Sequence, residues 1–192
     1  IKSRQSVTMP VTMECAGNGR TLLEPRSISQ PWGLEAIGTA EWTGTPLGPM
    51  LEDAGVDPSA VEILFTGQDR GVQGNEIQDY QRSLTLEDAS RDEVMLVYEM
   101  NGQPLQPQHG YPLRLLLPGW YGMASVKWLR RITVLASSCG FDAYPDYYDG
   151  AERNWFFGRG WCQIRYMPRL SDYRGRTKEI PFDFPELLGA LA

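Results

Sequence analysis

Short apolar runs separated by glycine, proline and asparagine set the pattern of this chain. The runs at 61–66, 94–100 and 113–117 are mainly apolar, which is typical of strands buried in a core. Residues 80–86 and 126–135 mix apolar with polar or basic positions and predict two more strands. Many short strands separated by turns indicate a mixed α+β fold that is rich in β structure.

The first strand and the turn after it are the most distinctive local feature. Residues 7–14 predict a strand that Pro10 interrupts, because proline cannot donate a ladder hydrogen bond. The next residues, 15–20, contain two glycines and an asparagine and predict a tight turn. Cys15 therefore stands at a strand end, where its side chain is accessible. A second polar, glycine-rich segment, 67–74, predicts a loop.

The remaining elements are short or weakly patterned. Residues 46–54 predict a brief helix, with Pro49 tolerated near its start, and Asn101-Gly102 predicts a hairpin turn. We place the core of one domain at residues 1–136. Residues 137–192 are rich in aromatic, arginine and glycine residues, and we predict an irregular tail packed on the same domain.

Composition narrows the class of protein without identifying a function. The 192 residues are 42% hydrophobic and 22% charged, as in ordinary globular domains. A formal net charge of −6 argues against nucleic acid as a partner, while 18 Lys and Arg residues suffice for a local basic pocket. No apolar stretch approaches the length of a membrane span, so we expect a soluble protein, periplasmic or cytoplasmic.

The cysteine and histidine content argues against a structural zinc site. The chain has three cysteines without a CxxC pair, and it has a single histidine, His109. An odd number of cysteines leaves at least one thiol unpaired. That thiol is available either for packing or for chemistry.

Several motifs occur in a fixed order between about residue 7 and residue 135. The first, at 14–20, reads Glu-Cys-Ala-Gly-Asn-Gly-Arg. The others read Tyr-Glu-Met-Asn-Gly-Gln-Pro-Leu at 98–105, His-Gly-Tyr-Pro-Leu-Arg at 109–114, and Pro-Gly-Trp-Tyr-Gly-Met-Ala-Ser-Val-Lys-Trp-Leu at 118–129. In order and spacing these motifs resemble the molybdopterin-binding domain of the sulfite oxidase and nitrate reductase family.

The resemblance implies roles for three residues around a molybdenum atom. Cys15 takes the position of the family's metal ligand, a role that suits a soft, strongly donating thiolate. Arg20 takes the place of an arginine in the pocket that receives an oxyanion substrate. Tyr147, preferred slightly over Tyr148, takes the place of an active-site tyrosine that hydrogen-bonds a ligand of the metal.

The same resemblance implies that the second block of motifs holds the pterin. His109 and Arg114 match the family's pterin-binding pair, and a guanidinium offers a charged fork that suits phosphate. Ser125, Val126 and Lys127 match a segment that contacts the pterin through its backbone and an ammonium group.

These roles imply an oxidoreductase with a molybdenum–molybdopterin cofactor. It would transfer an oxygen atom to or from a small oxyanion or oxide, with sulfite oxidation preferred, and pass electrons to a separate acceptor. We expect no haem or flavin in this chain, and the oligomeric state stays open. The family's upstream cofactor loop and its C-terminal dimerisation domain are not expected within these residues.

Two other hypotheses stay open at this point. A cysteine-nucleophile enzyme would need Cys15 and His109 within hydrogen-bond reach of each other, and would need no metal. A non-catalytic or cofactor-free remnant of such a domain would need neither the metal nor the pterin.

Overall fold

The structure, a computed structural model, describes residues 1–22, 24, 30–73 and 76–136 and the backbone of 177–180. Its strands are β1 (Val7–Glu14), β2 (Ile37–Pro46), β3 (Glu62–Gln73), β4 (Glu76–Thr85), β5 (Met95–Met100), β6 (Gln103–Pro104), β7 (Arg114–Leu116), β8 (Leu129–Leu135) and β9 (Thr177–Ile180). The helices are α1 (Gly48–Asp53), α2 (Leu86–Ala89) and the 3-10 turns Arg20–Leu22, Pro107–His109 and Gly122–Ala124.

The strands form two sheets. In the first, the order is β1-β2-β5-β6, and β7 also pairs with β5; in the second, the order is β4-β3-β8-β9. All recorded pairings are antiparallel. The β-rich part of the predicted fold class is confirmed. The α part of the α+β prediction is small in the described residues, where α1 has six residues and α2 has four.

Strand β1 lies at the edge of the first sheet and ends one residue before Cys15. It is continuous through Pro10, which lies opposite Glu41 of β2. The predicted interruption is therefore wrong. An edge strand tolerates proline because only one of its sides has to supply ladder hydrogen bonds.

Strand β2 is one of the elements that the sequence pattern did not predict. Its ladder with β5 shifts register between Thr43 and Gly44, and this bulge breaks the alternation of exposed and buried positions. A Cβ at Gly44 would overlap the backbone oxygen of Leu96 and lie 2.6 Å from Val97 Cα, so only glycine lets the two strands approach this closely.

The hairpin of β3 and β4 is longer than predicted. The expected loop at 67–74 is wrong, because β3 continues to Gln73 and pairs with β4 again from Arg70 to Gln73. A register shift between Thr66 and Arg70 interrupts the ladder and takes up the glycine-rich stretch. Backbone pairing prevails there over a polar composition with weak strand propensity.

A shared apolar core joins the sheets. Its buried side chains come from β3, β4, β5, β7, β8 and α1 and from the segments beside them, and they include Phe65, Leu96, Leu115 and Ile132. Strand β5 is buried on both faces, since its alternate residues Met95 and Val97 pack with Trp42 in a second cluster. This double burial explains the continuous apolar run that predicted the strand.

Most of the predicted tail at 137–192 lies outside the described residues. Within it, β9 pairs with β8 antiparallel, from Thr177 opposite Leu135 to Ile180 opposite Ile132. Among the described helices, none has the length and apolar character needed to cross a membrane.

Candidate active site

The turn after β1 presents Cys15. The Cys15 N–H donates to the carbonyl of Ala36 at 2.9 Å. The Asn18 side chain braces the turn twice, because its amide donates to Glu14 Oε1 at 3.0 Å and its carbonyl accepts from Ala36 N at 3.0 Å. The asparagine of the motif thus fixes the cysteine turn to the residue just before β2.

The thiol of Cys15 is free and exposed. The Gly17 N–H donates to its Sγ at 3.4 Å. Arg20 folds back over the same turn, so that a Cβ at Gly17 would lie 2.5 Å from Arg20 Nη2. Arg20 Nη1 also donates to the carbonyl of Gln30 at 3.1 Å. The structure therefore brings a thiol and a guanidinium together on one turn.

Arg114 lies deep beside this turn and is 6% exposed. Its Nη1 donates to the carbonyl of His109 at 3.0 Å, and its Nη2 donates to the carbonyl of Ser125 at 3.1 Å. Nη2 also lies 3.8 Å from Met13 Sδ, and the guanidinium lies 5.0 Å from the centroid of the Trp42 ring. Burial lowers the pKa of Arg114 to about 10, which leaves it a cation at neutral pH.

The segment Gly122–Ser125 packs against the end of β1. A Cβ at Gly122 would lie 3.6 Å from the carbonyl oxygen of Glu14 and 3.9 Å from Met13 Sδ. Ser125 is 2% exposed, and its hydroxyl accepts a hydrogen bond from Leu117 N at 3.0 Å. The two motif blocks, far apart in sequence, thus meet beside Cys15.

Val126 and Lys127 continue this segment. Val126 is fully buried, and its N–H and carbonyl both make hydrogen bonds inside the protein. The Lys127 ammonium donates to the carbonyl of Gln108 at 3.1 Å and lies 4.3 Å from the Trp128 ring centroid. The Trp128 indole donates to the carbonyl of Pro107 at 2.8 Å, which joins this segment to the turn that holds the histidine.

His109 is the last residue of a 3-10 turn that Gly110 ends in the left-handed conformation, with φ 103°. A Cβ at Gly110 would lie 2.9 Å from Lys127 Cβ, so glycine is needed both for its backbone conformation and for this packing. Together with the hydrogen bond from Arg114 to the His109 carbonyl, this packing gathers His109, Arg114, Ser125 and Lys127 into one region.

Asp69 is the site residue that the sequence reasoning missed. It falls in the stretch predicted as a loop, and its Oδ1 is buried without a hydrogen-bond partner in the described structure. A Cβ at Gly67 would overlap this oxygen and lie 2.9 Å from the Lys127 carbonyl, so Asp69 adjoins the lysine. No sequence motif marks Asp69, which is one of several polar residues in this glycine-rich stretch, and its burial is visible only in the fold.

The pKa values of Asp69 and Lys127 are both shifted by burial. Burial raises the pKa of Asp69, although the nearby charges of Lys127 and Arg82 oppose the shift. Burial, followed by the positive charge of Arg114, lowers the pKa of Lys127. In both groups burial disfavours the charged form, so the charges of Asp69 and Lys127 are less well solvated than in water.

These residues fit a metal carried by an organic anion. In the described part of the chain, no three His, Cys, Asp or Glu side chains form a metal-binding group. A metal there needs most of its ligands from elsewhere, which a pterin dithiolene supplies alongside one exposed thiol. Within the described residues, Asp69 Oδ1 and the buried Arg114 Nε have no hydrogen-bond partner, so they offer an acceptor and a donor to such a group.

Two sequence predictions, the active-site tyrosine and the cysteine nucleophile, are not supported by the described residues. Tyr147 and Tyr148 lie outside the described residues, so the tyrosine assignment stays a prediction. For the cysteine-nucleophile hypothesis, the hydrogen bond at Cys15 Sγ comes from the Gly17 N–H and none joins it to His109 in the described structure. The structure therefore gives that hypothesis no base at the thiol.

The chain belongs to the family of oxidoreductase molybdopterin-binding domains, whose model matches residues 1–141. Among curated proteins it is similar to a sulfite oxidase from Arabidopsis thaliana, with 38% identity over an alignment of 159 positions that covers 77% of this chain and 40% of that protein. It is also similar to an NADH nitrate reductase from Spinacia oleracea, with 39% identity over an alignment of 153 positions that covers 76% of this chain and 16% of that protein.

A solved structure shares the fold. The sulfane dehydrogenase SoxCD from Paracoccus pantotrophus has a TM-score of 0.58 and 32% identity, covering 70% of this chain and 33% of that one. The predicted family is confirmed. The chain spans less than half the length of each of these three relatives, and their names include both sulfite oxidase and nitrate reductase.

Proposed function

We propose that this chain is the cofactor-binding part of an oxidoreductase that holds molybdenum through Cys15 and molybdopterin through His109, Arg114, Ser125, Val126 and Lys127. The observation that carries the proposal is the meeting of the exposed Cys15 turn with the buried cationic segment at the end of β1. Asp69 joins this set through its unsatisfied oxygen beside Lys127.

The residues of this chain would orient the cofactor and balance its negative charge. Asn18 fixes the cysteine turn, and the Gly17 N–H holds the Cys15 Sγ in place, where a metal would bind it as the thiolate. The Arg114 guanidinium ties three segments together, so a ligand beside it meets a pre-ordered cation rather than a mobile one.

We propose oxygen-atom transfer with a small oxyanion as the reaction, with sulfite oxidation as the first choice. When bound, the cofactor supplies two-electron redox chemistry that no amino-acid side chain provides. In the sulfite case, sulfite and water give sulfate, two protons and two electrons, and a separate acceptor takes the electrons. Arg20 would bind the anion's charge beside Cys15, and Tyr147 would donate a hydrogen bond to the reacting group.

Nitrate reduction is the second candidate because nitrate reductases occur among the relatives at the same level of identity as the sulfite oxidase. It runs the same transfer in reverse and uses the same cationic residue for the anion. Purified protein should therefore be assayed for sulfite-dependent ferricyanide reduction and for nitrate-dependent oxidation of reduced viologen.

The test uses Cys15→Ser with Cys139→Ser as the matched control. We expect sulfite turnover that disappears in Cys15→Ser and persists in Cys139→Ser, and we expect Arg20→Met to raise KM more than it lowers kcat. Nitrate turnover with the same dependence on Cys15 would favour the second candidate. Turnover that survives Cys15→Ser would contradict the proposed ligand.

A further inference from the structure

Arg82 of β4 is a buried cation that the roles described above do not use. It is 6% exposed, and its guanidinium lies 4.1 Å from the centroid of the Tyr80 ring. Its Nη1 donates to the carbonyl of Gln81 at 2.5 Å. Its Nε is buried without a hydrogen-bond partner, and no carboxylate pairs with it in the described structure. Burying a charge without a partner costs free energy, so such a residue indicates a ligand that pairs with the charge.

The surroundings of Arg82 connect it to the proposed cofactor site. The Tyr80 hydroxyl donates to the carbonyl of Met123 at 2.5 Å, so the ring under Arg82 also holds the turn that precedes Ser125. Across the ladder, Arg82 lies opposite Phe65, a few residues before the bulge that carries Asp69. Arg82 is thus connected, through Tyr80 and the bulge, to the residues proposed to contact the pterin.

The charges in this region do not balance. Arg82, Arg114 and Lys127 are three cations, and Asp69 is one carboxylate, which leaves two positive charges. Asp79, another nearby carboxylate, already pairs with two arginines of the second sheet, Arg70 and Arg130. A phosphate monoester carries between about −1.5 and −2 at neutral pH, which matches the excess.

We propose that Arg82 is a further anion-binding residue of this site and contacts the phosphate monoester of the pterin cofactor. The inference rests on the proposed function, which supplies the phosphate. Stacking on the Tyr80 ring occupies the face of the guanidinium and leaves the Nε–H, which has no partner in the described structure, to make such a contact. A purely structural role accounts poorly for Arg82, because methionine or leucine would pack on Tyr80 without burying a charge.

The ligand could also be the oxyanion substrate, since sulfite and phosphate offer the same kind of oxygen. Arg20, on the cysteine turn, already supplies a cation for the substrate. Arg82 is instead connected to Ser125 and Lys127 through Tyr80 and Asp69. This arrangement favours the cofactor's phosphate over the substrate.

The experiment compares wild type, Arg82→Met and the control Arg91→Met, whose arginine is about half exposed and pairs with carboxylates of its own loop. Binding of inorganic phosphate to cofactor-free protein is measured by titration calorimetry. We expect Arg82→Met to bind phosphate about tenfold more weakly, the size of one lost charge-assisted hydrogen bond, and Arg91→Met to bind it unchanged. Equal affinity in all three proteins would overturn the inference.

Two further readouts separate the possible sources of failure. In loaded enzyme, Arg82→Met should lower the pterin content per chain and leave KM for substrate unchanged. An unchanged pterin content with a raised KM would assign Arg82 to the substrate and contradict the proposal. If Arg82→Met does not fold, the contact is tested in wild-type protein by following the NMR signal of the Arg82 Nε–H during a titration with phosphate. Phosphate should shift this signal, and a signal that does not move would refute the contact.

Failure of the proposed function has a different signature. Wild-type protein without pterin or molybdenum, expressed in competent cells, would contradict the oxidoreductase proposal. The phosphate titration of the cofactor-free protein would still decide whether Arg82 binds an anion.

Discussion

Gly44→Ala should be one of the most destabilising single-methyl additions in this domain. The new Cβ would overlap the Leu96 oxygen and lie 2.6 Å from Val97 Cα, and both contacts are backbone atoms of a strand buried on both faces. Relief requires the strands to separate by about 1 Å at the bulge, since unstrained carbon atoms stay about 3.5 Å apart. Overpacking of this kind costs about 1–3 kcal/mol, and weakening one or two ladder hydrogen bonds costs about 1 kcal/mol more.

Gly38→Ala is the matched control, because Gly38 lies in the same strand and a Cβ there meets nothing within 4 Å. Its replacement should stabilise the protein slightly, by about 0.5 kcal/mol, through the unfolded chain. Urea denaturation at an m-value of about 2 kcal/mol/M should thus lower the midpoint of Gly44→Ala by about 1–2 M and leave Gly38→Ala near wild type. Midpoints within about 0.25 M of each other, or about 0.5 kcal/mol at that m-value, would refute the close-approach argument.

Three other substitutions test the site. Tyr80→Phe loses the hydrogen bond to the Met123 carbonyl and should cost about 1 kcal/mol in unfolding free energy, with a lower pterin content as well. Burial raises the pKa of Asp69, so the protonated side chain stabilises the folded state; this contribution is complete below about pH 4 and is lost as the pH rises through the folded pKa. The free energy of unfolding of Asp69→Asn relative to wild type should therefore increase from about pH 4 to pH 7. A difference that does not change with pH in a series of urea denaturations would contradict this. Arg114→Lys keeps the positive charge, but an ammonium group cannot replace the fork that donates to both the Ser125 and the His109 carbonyls. The pterin content per chain should therefore fall several-fold while the chain still folds.

The sequence predicted the strands whose residues are buried on both faces, because a continuous apolar run is favourable only where both faces are covered. Strand β5 is the clearest case, with Met95, Leu96 and Val97 all buried. The pattern did not predict β2 or the outer half of the β3–β4 hairpin. In β2, the bulge at Gly44 breaks the alternating pattern, and in the hairpin the pairing depends on a partner strand rather than on local propensity.

Some residues of the candidate site were predictable from the sequence, and others are recognised only in the fold. Cys15, Arg114 and Lys127 were found because they occupy positions of recognisable motifs, and the structure gathers their segments at the end of β1. Asp69 and Arg82 carry no motif, and their importance is visible only in the fold, where burial leaves polar atoms of both without partners in the described residues. A single chain's sequence does not reveal which polar residues will lose their water.

We propose above all that Cys15 is the protein ligand of a molybdenum–pterin cofactor. The most direct measurement is molybdenum and pterin per chain in protein from cells competent for pterin synthesis, for wild type, Cys15→Ser and the control Cys139→Ser. We expect close to one molybdenum per chain in wild type and control and a large loss in Cys15→Ser. Equal molybdenum in all three proteins, or none in the wild type, would contradict it.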